Sequence, residues 1–465
     1  MIKDKLKFID LFAGLGGFHV ALEKLGHECV FASEKKEHLA KLYEKNFNIL
    51  VNRDITKIEV EKIPPFNVLC AGFPCQPFSK AGDQLGLHDK KNGNLFDKLV
   101  DIIDYHKPEY FILENVRNLE SHDNFNTWRY IKNKLENVLG YSIDKKILSP
   151  HNLGIPQHRE RIFIVGKRTN LDHFTWPEER NSTESIFDFL DKTPSDATKL
   201  EKEKINVVKL WQEFINTIPK DDKLPSFPIW AMEFGATYPF EDEIPFRSSN
   251  QLLGRRKGSF GIPLRGMSFN DKLERLPNYA KKNQLDKETD KQIPFPNWKK
   301  HYIRSNRAFY LQYENELKPI VEKIRDLGVS SWQKFEWNVQ GGERDLSKYI
   351  IQFRGSGVRI KKTDFFPSLV TVSTQIPIIG WENRYITPSE GARIQSLNGI
   401  KLPENLGSCF GALGNAVNAH VVELIAEKLI HVKPGEKNIL KNIKEASEHK
   451  INDINKSKLD YERIE

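Results

Sequence analysis

The segment at positions 8–17, FIDLFAGLGG, decides the fold of this chain. Its apolar first half has the length of a buried strand, and its glycine-rich second half leads into a helical stretch over about 17–25. Glycines between a strand and a helix let the backbone approach a ligand closely, and the first turn of the helix offers free N–H groups. The segment therefore predicts the first strand and helix of an α/β sheet, with a ligand site at the turn between them.

The same alternation continues outward from this segment to about residue 170. Further helical stretches lie near 36–46 and 94–106. Short apolar runs predict strands at 29–32, 68–71, 110–113, 141–148 and 161–165. Strands that alternate with helices pair mostly in parallel, because the crossover helices cover the faces of the sheet. We therefore predict an α/β fold with a doubly wound, mostly parallel, Rossmann-like sheet.

Two acidic residues follow the next strands of this sheet. Glu34 lies twenty residues after Gly14, at a strand end where an acid in this type of fold accepts hydrogen bonds from ribose hydroxyls. Asp54 follows the third segment and is a candidate for contact with an adenine edge. Position 19 is His, so the turn departs from the dinucleotide pattern G-x-G-x-x-G. These residues favour nucleotide binding; the alternative is a plain strand–helix turn with surface acids.

Two later strand ends carry reactive groups. The loop AGFPCQPFS at 71–79 holds Cys75 between two prolines, which restrict its shape. A thiol on a rigid loop at the carboxyl edge of a sheet suits a nucleophile, and a structural cysteine in a tight turn is the alternative. Glu114 leaves the next strand, where an acid can protonate a substrate or serve as a cap or in an ion pair.

Two arginines precede the last predicted strand. Arg159 and Arg161 stand two residues apart in GIPQHRER at 154–161. Alternate side chains of an extended segment point to the same side, so the pair can clamp a phosphate or a carbonyl oxygen. The alternative is an Arg–Glu network on the surface.

Composition constrains the rest of the chain. Residues 177–350 hold scattered prolines, aromatic residues and basic clusters, so we expect little regular secondary structure there. Among 465 residues, Lys and Arg exceed Asp and Glu by a net charge of +8, which permits a polyanionic partner. We expect no membrane span and no secretory signal. The four cysteines lack a C-x-x-C pair and zinc-ligand spacing, which predicts neither a metal site nor disulfides.

Six motifs in order resemble those of the DNA cytosine-5 methyltransferases of restriction–modification systems. They are FIDLFAGLGG (8–17), AGFPCQPFS (71–79), ENV (114–116), QHRER (157–161), RYITPSEGARIQSL (384–397) and GNAV (414–417). The resemblance covers roughly 1–175 and 350–430, and the number and order of the motifs argue against chance similarity.

The resemblance implies covalent catalysis on a cytosine that is flipped out of the duplex. Cys75 would add to C6 of the base as a thiolate, and Glu114 would hold and protonate N3. The C5 atom would then take a methyl group from S-adenosylmethionine. Arg161, together with Arg159, would contact the base O2 or the adjoining phosphate and would orient Glu114.

The resemblance also implies that S-adenosylmethionine is held by both ends of the chain. The ribose would contact Glu34, and the final helix would pack beside the glycine turn. The implied pocket residues are Phe12, Gly14, Gly16, Gly17, Glu34, Asp54, Ile55, Pro74, Leu95, Asn415 and Val417. Ala416 and Arg53 depart mildly from the family pattern, which more often has Ser and Gly at these positions.

Two domains around a DNA cleft are implied. Residues 1–177 with 411–432 would form the catalytic, S-adenosylmethionine-dependent methyltransferase domain, residues 178–410 a smaller target-recognition domain, and residues 433–465 a charged tail. The residues expected to contact DNA are Ser79, Lys80, Arg255, Arg256 and Lys257.

The implied partner is double-stranded DNA, and we expect a monomer in the bacterial cytoplasm at the nucleoid. A cognate restriction endonuclease would act on the same site without a stable complex. Two alternatives stay open. An RNA (tRNA) cytosine-5 methyltransferase would share the fold, but that branch tends to have Pro where Phe73 stands. A catalytically silent DNA-binding regulator would have no need of an intact Cys75, Glu114 and Arg161.

Overall fold

The computed structural model of this protein describes residues 5–74, 95–180, 184–281 and 293–430. These residues form two compact units. Unit 1 consists of the described parts of Met1–Phe189 and Gly391–Glu465, and unit 2 of the described part of Leu190–Glu390. The division falls inside the motif at 384–397, and the domain boundaries predicted at 177/178 and 410/411 stay a prediction.

The N-terminal part of unit 1 alternates strands and helices, as the sequence predicts. Its strands are β1 (Lys7–Leu11), β2 (Glu28–Ser33), β3 (Val51–Asn52), β4 (Val68–Gly72), β5 (Tyr110–Val116), β6 (Ser142–Leu148), β7 (Gln157–His158) and β8 (Arg161–Lys167). Its helices are α1 (Gly17–Lys24), α2 (Glu37–Phe47), α3 (Leu95–His106) and α4 (Asn126–Lys132), and a π-helical turn over Asn133–Val138 continues α4.

Seven of these strands form one sheet in the order β3-β2-β1-β4-β5-β8-β6. Neighbours from β3 to β5 are parallel, whereas β8 is antiparallel to both β5 and β6. The chain runs from β1 to β2 on one side and returns to β4 on the other, which makes β1 the point where the strand order reverses. Open α/β sheets bind ligands beyond the carboxyl ends of the strands at this point. The predicted mostly parallel, Rossmann-like sheet is confirmed.

The core of unit 1 includes the face of α3 that carries Phe96, Leu99 and Ile103, which are buried. Their spacing matches the helical repeat, so they line one face of the helix. Each such side chain contributes roughly 1.5–3 kcal/mol when it is fully buried. The parallel pairing of β4 with β5 places Gly72 opposite Glu114, so the two strands end side by side.

Unit 2 has more regular structure than the sequence analysis expects, and that expectation is wrong. Its helices are α5 (Lys202–Thr217), α6 (Asn250–Gly254), α7 (Phe269–Glu274), α8 (Asn297–Gln312) and α9 (Glu314–Arg325). Its strands are β9 (Ile229–Trp230), β10 (Lys334–Asn338), β11 (Ile350–Arg354), β12 (Gly357–Lys361), β13 (Phe366–Pro367), β14 (Ile378–Ile379) and β15 (Arg384–Tyr385). Six of them form a sheet in the order β15-β14-β11-β12-β10-β9.

Packing between distant segments explains this difference. Trp211 of α5 stacks on Phe335 of β10 with ring centroids 4.8 Å apart, and it also lies edge-on to Phe214. Tertiary burial of such aromatic residues stabilises helices whose local sequence signal is weak.

Three helices close the described chain. They are α10 (Pro388–Ile394), which begins in unit 2 and ends in unit 1, α11 (Leu406–Asn415) and α12 (Ala419–Ile430). The stretch Leu406–Ile430 is long and apolar enough to cross a membrane, but 72% of its apolar window is buried inside the protein, as in a core helix. Asn418 separates α11 from α12 and accepts the N–H groups of His420 and Val421. Helix α12 packs against α1, which confirms the predicted place of the final helix.

Candidate active site

The glycine turn after β1 is closed by Glu34. Its Oε2 accepts the N–H of Gly14 at 3.0 Å, and its Oε1 accepts the N–H of Lys36 at 2.8 Å. Gly14 and Gly16 have φ values of 54° and 82°, in the left-handed region that favours glycine. Glu34 therefore lies against the turn, where the sequence predicts a ligand.

Two glycines of the turn are also required by close packing. A Cβ atom on Gly16 would lie 2.4 Å from Cε2 of Phe47, and one on Gly17 would lie 2.5 Å from the carbonyl oxygen of Val417. The segment between α11 and α12 thus rests directly on the turn. Val417 is buried, whereas the neighbouring Asn415 is exposed.

The other predicted cofactor residues differ in their local environments. Asp54 accepts the N–H and the hydroxyl of Thr56 at 3.1 and 2.7 Å, and these bonds, chiefly the one from the hydroxyl, lower the pKa of Asp54. Ile55 is buried in the core. Phe12 and Leu95 pack partly buried against the same core. Contact of any of these residues with a cofactor stays a prediction, as it does for the exposed Pro74.

Glu114, which is buried, forms an ion pair with Arg161 at the carboxyl edge of the sheet. Glu114 is 8% exposed, and its Oε1 lies 3.0 Å from Nε of Arg161. Burial raises the pKa of Glu114 above its ordinary value, although the charges of Arg161 and Arg159 act in the opposite direction. Oε2 lies near Gly72, where an added Cβ would be 3.5 Å away. Two of the residues that the sequence assigns to the base, Glu114 and Arg161, thus lie in contact.

Asn115 is a site residue that the sequence analysis misses. It is buried, and its Nδ2 donates to the carbonyl oxygen of Phe73 at 2.8 Å. The bond ties the end of β5 to the chain that enters the Pro-Cys-Gln loop at Pro74. Its position directly after a strand-end acid is the signal that points to it.

A second missed group lies under the glycine turn. Asp10 is fully buried, and its Oδ2 accepts the hydroxyl of Tyr43 at 3.1 Å, while Nδ1 of His19 lies 2.7 Å from the same hydroxyl. Burial raises the pKa of Asp10 well above its ordinary value and lowers that of His19 to about 4. The network joins β1, α1 and α2 beneath the turn. No periodicity in the sequence reveals it, because its members come from three elements.

The side chain of Arg159 makes hydrogen bonds that the sequence analysis does not predict. This residue is 2% exposed, and its Nη2 donates to the carbonyl oxygens of Gly414 and Ala416, both at 2.9 Å. Burial, together with the neighbouring Arg161, lowers the pKa of Arg159 to about 9. These bonds hold the end of α11, and the predicted contact of Arg159 with the base stays a prediction.

The three described cysteines do not have the surroundings of nucleophiles. Burial raises the pKa of Cys29 and Cys409 to about 12 and that of Cys70 well above its ordinary value. The thiol form, which is a poor nucleophile, therefore prevails near neutral pH in each. Cys70 and Cys409 are buried, and Cys29 is half-buried.

Several predicted residues are not placed in the site. Cys75, Ser79 and Lys80 lie outside the described residues. Arg255, Arg256 and Lys257 follow α6 in unit 2, and all three are exposed. Their contact with DNA stays a prediction.

The order and directions of the seven strands are those of a Rossmann-like methyltransferase fold. The solved structure of a protein encoded within a prophage of E. coli shares this fold with a TM-score of 0.50. It is 18% identical, and the match covers 92% of this chain and 99% of that one.

Sequence comparisons specify the family. The family described as C-5 cytosine-specific DNA methylase matches residues 6–230. The Type II methyltransferase M.HhaI of Haemophilus parahaemolyticus is 41% identical over 48% of this chain and 69% of that protein. The Type II methyltransferase M.AluI of Cellulosimicrobium cellulans is 30% identical over 92% of each chain. This chain belongs to the C-5 cytosine-specific DNA methylase family, which confirms the predicted class of enzyme.

Proposed function

We propose that this protein transfers a methyl group from S-adenosylmethionine to C5 of a cytosine in double-stranded DNA, as part of a restriction–modification system. The ion pair between the buried Glu114 and the partly buried Arg161, at the carboxyl edge of the sheet, carries the proposal. It lies beside Gly72, two residues before the Pro-Cys-Gln motif begins. Membership of the family supports the same reaction.

The chemistry follows from the electronic nature of cytosine, whose C5 is a poor nucleophile. Addition of the Cys75 thiolate to C6 would open the C5–C6 double bond and leave electron density on C5. Glu114 would supply a proton to N3, so that negative charge does not accumulate on the ring. A carboxyl group whose pKa is raised by burial keeps its proton closer to neutral pH, which suits this role. After methyl transfer, a base such as a water molecule would take the C5 proton, the Cys75 thiolate would leave C6 so that the C5–C6 double bond is restored, and N3 would return its proton to Glu114.

The residues around the glycine turn fit the proposed cofactor. When bound, S-adenosylmethionine supplies an electrophilic methyl group. Each Glu34 oxygen accepts one backbone N–H and has a further lone pair, which suits a ribose hydroxyl. Among the described residues, the one atom within 4 Å of a Cβ added to Gly14 is the carbonyl oxygen of Phe12, at 3.9 Å.

A basic face on the sheet of unit 2 supports a DNA partner. We define it by Arg354, Arg359 and Lys361, which occupy alternate positions on the paired strands β11 and β12. Nε of Arg359 lies 2.6 Å from Oε2 of Glu336. Burial and the charges of Arg359 and Arg354 lower the pKa of Lys361 to about 8. Neighbouring cations that repel one another in this way are stabilised by a polyanion such as the DNA backbone.

Bisulfite sequencing tests the proposal directly. DNA of a host that expresses the protein should contain cytosines that resist conversion at one short sequence, and Cys75→Ser should abolish this resistance. Fully converted DNA from the unchanged protein would contradict the proposal. Resistance in tRNA alone would support the RNA-directed alternative.

We further propose a monomer in the bacterial cytoplasm at the nucleoid, with a nuclease that acts on the same site without a stable complex. The Type II description of the relatives supports the pairing with a nuclease. Light scattering of the purified protein tests the monomer.

A further inference from the structure

Arg159 stands between the target-base site and the C-terminal part of unit 1. Its side chain is buried, and its Nη2 hydrogen-bonds the carbonyl oxygens of Gly414 and Ala416. These carbonyls belong to the last turn of α11 and its exit, where helical carbonyls have no partner within the helix. A cation at this end also complements the helix dipole. The guanidinium of Arg159 therefore donates to two carbonyl oxygens that have no hydrogen-bond partner within α11.

The same short segment forms the support of the glycine turn. Val417 follows directly after Ala416, and its carbonyl oxygen lies so close to Gly17 that an added Cβ would be 2.5 Å away. Any shift of the segment at 414–417 would therefore move the backbone that borders the turn. The backbone N–H of Arg159 itself is held by Oγ of Ser149 at 2.9 Å. Arg159 is thus held by hydrogen bonds at both its backbone and its side chain.

We propose that Arg159 is a positioning residue for the cofactor pocket: it holds the segment at 414–417 against the glycine turn. The inference rests on the proposed function, because it takes the turn at Gly17 to be the place of the cofactor. It divides the arginine motif by role. Arg161 pairs with Glu114 in the proposed site of the base, and Arg159 holds the segment at 414–417 in the proposed site of the cofactor.

Binding of S-adenosylhomocysteine to the full chain without DNA tests this role. In calorimetric titrations, we expect Arg159→Ala to weaken binding by at least about tenfold, because two charge-assisted hydrogen bonds are lost. Arg159→Lys keeps the charge but loses the planar fork of the guanidinium, so its affinity should fall between those of the unchanged protein and the alanine variant. In steady-state methylation, KM for the cofactor should rise in both variants more than kcat falls.

Arg161→Ala is the matched control, since it removes an arginine two positions away that pairs with Glu114. Its affinity for S-adenosylhomocysteine should stay within about twofold of the unchanged protein, while its kcat falls. If Arg159→Ala does not fold, as judged by circular dichroism, Arg159→Lys decides the question. Unchanged affinity in the Arg159 variants that fold, with a loss of kcat at saturating cofactor, would overturn this inference alone. Failure of the unchanged protein to bind the probe would overturn the proposed function and this inference together.

Discussion

Glu114 illustrates how the surroundings of one carboxyl group define a chemical role. Its burial raises its pKa, whereas the ion pair with Arg161 opposes this effect and fixes the orientation of the carboxyl group. The balance favours a group that holds a proton more readily than an exposed glutamate does. That property is useful only where a substrate atom must receive a hydrogen bond or a proton.

The first prediction concerns this group. Glu114→Gln keeps the shape of the side chain but cannot transfer a proton, so methyl transfer should fall by roughly 10²- to 10⁴-fold. Affinity for S-adenosylhomocysteine without DNA should be retained, because the residue faces Gly72 and Arg161 rather than the glycine turn. Filter-binding assays with radiolabelled methyl donor measure the rate. Retained turnover would remove Glu114 from the mechanism.

The second prediction concerns Asp10. Because burial raises its pKa well above the ordinary value, the folded chain keeps a proton that the unfolded chain releases. Its contribution to stability is therefore complete below the ordinary pKa of an aspartate and is lost as the pH rises through the raised value. Asp10→Asn does not titrate. We expect the free energy of unfolding of the unchanged protein, minus that of the variant, to fall as the pH rises from the ordinary pKa of an aspartate to the raised pKa of Asp10.

Urea unfolding at a series of pH values measures this difference. His19, whose pKa burial lowers to about 4, titrates in both proteins, so its effect should largely cancel. A difference that does not change with pH would contradict the assignment of a raised pKa to Asp10.

At the scale of elements, the approach of α1 to the segment after α11 leaves no room for a side chain at Gly17. We expect Gly17→Ala to lower the free energy of unfolding by about 1–3 kcal/mol, because the contact is with a backbone oxygen that cannot move independently. Affinity for S-adenosylhomocysteine should fall with it. Gly328→Ala is the matched control, since no atom in the described part of the chain lies within 4 Å of a Cβ added there. Equal stability of the two variants in urea would show that the segment at 414–417 can shift freely.

The elements differ in how much local sequence specifies them. Strands β1, β4 and β5 and helix α3 were predicted to within a few residues, because each has a continuous apolar run or a clear helical period. The helices of unit 2 were not, because their burial depends on partners such as Phe335, far from Trp211 in the sequence. Local pattern indicates an element only where that pattern alone is strong.

At the scale of the whole molecule, the chain has a net charge of +8, and the sheet of unit 2 carries the basic face. If this face contacts phosphates, replacing both Arg354 and Lys361 by Gln should reduce the slope of log K against log salt concentration by roughly 2, at about 0.9 per phosphate contact. Fluorescence anisotropy with a labelled duplex at several salt concentrations measures this slope. Lys323→Gln is the control, since Lys323 pairs with Glu213 at 2.6 Å on another part of unit 2. An unchanged slope in the double variant would exclude the face from the DNA interface.

By itself, the sequence determined the class of fold, the family and the pairing of candidate residues with strand ends. These depend on short-range features: a glycine turn after a strand, an acid after the next strand, and motifs in a fixed order. Only the tertiary structure decided which groups meet. Arg159 binds carbonyls more than 250 positions away, and Asp10 meets Tyr43 of α2 beneath the turn. Such contacts depend on how the elements pack, and hydrogen-bond partners that are distant in the chain have no local pattern to reveal them.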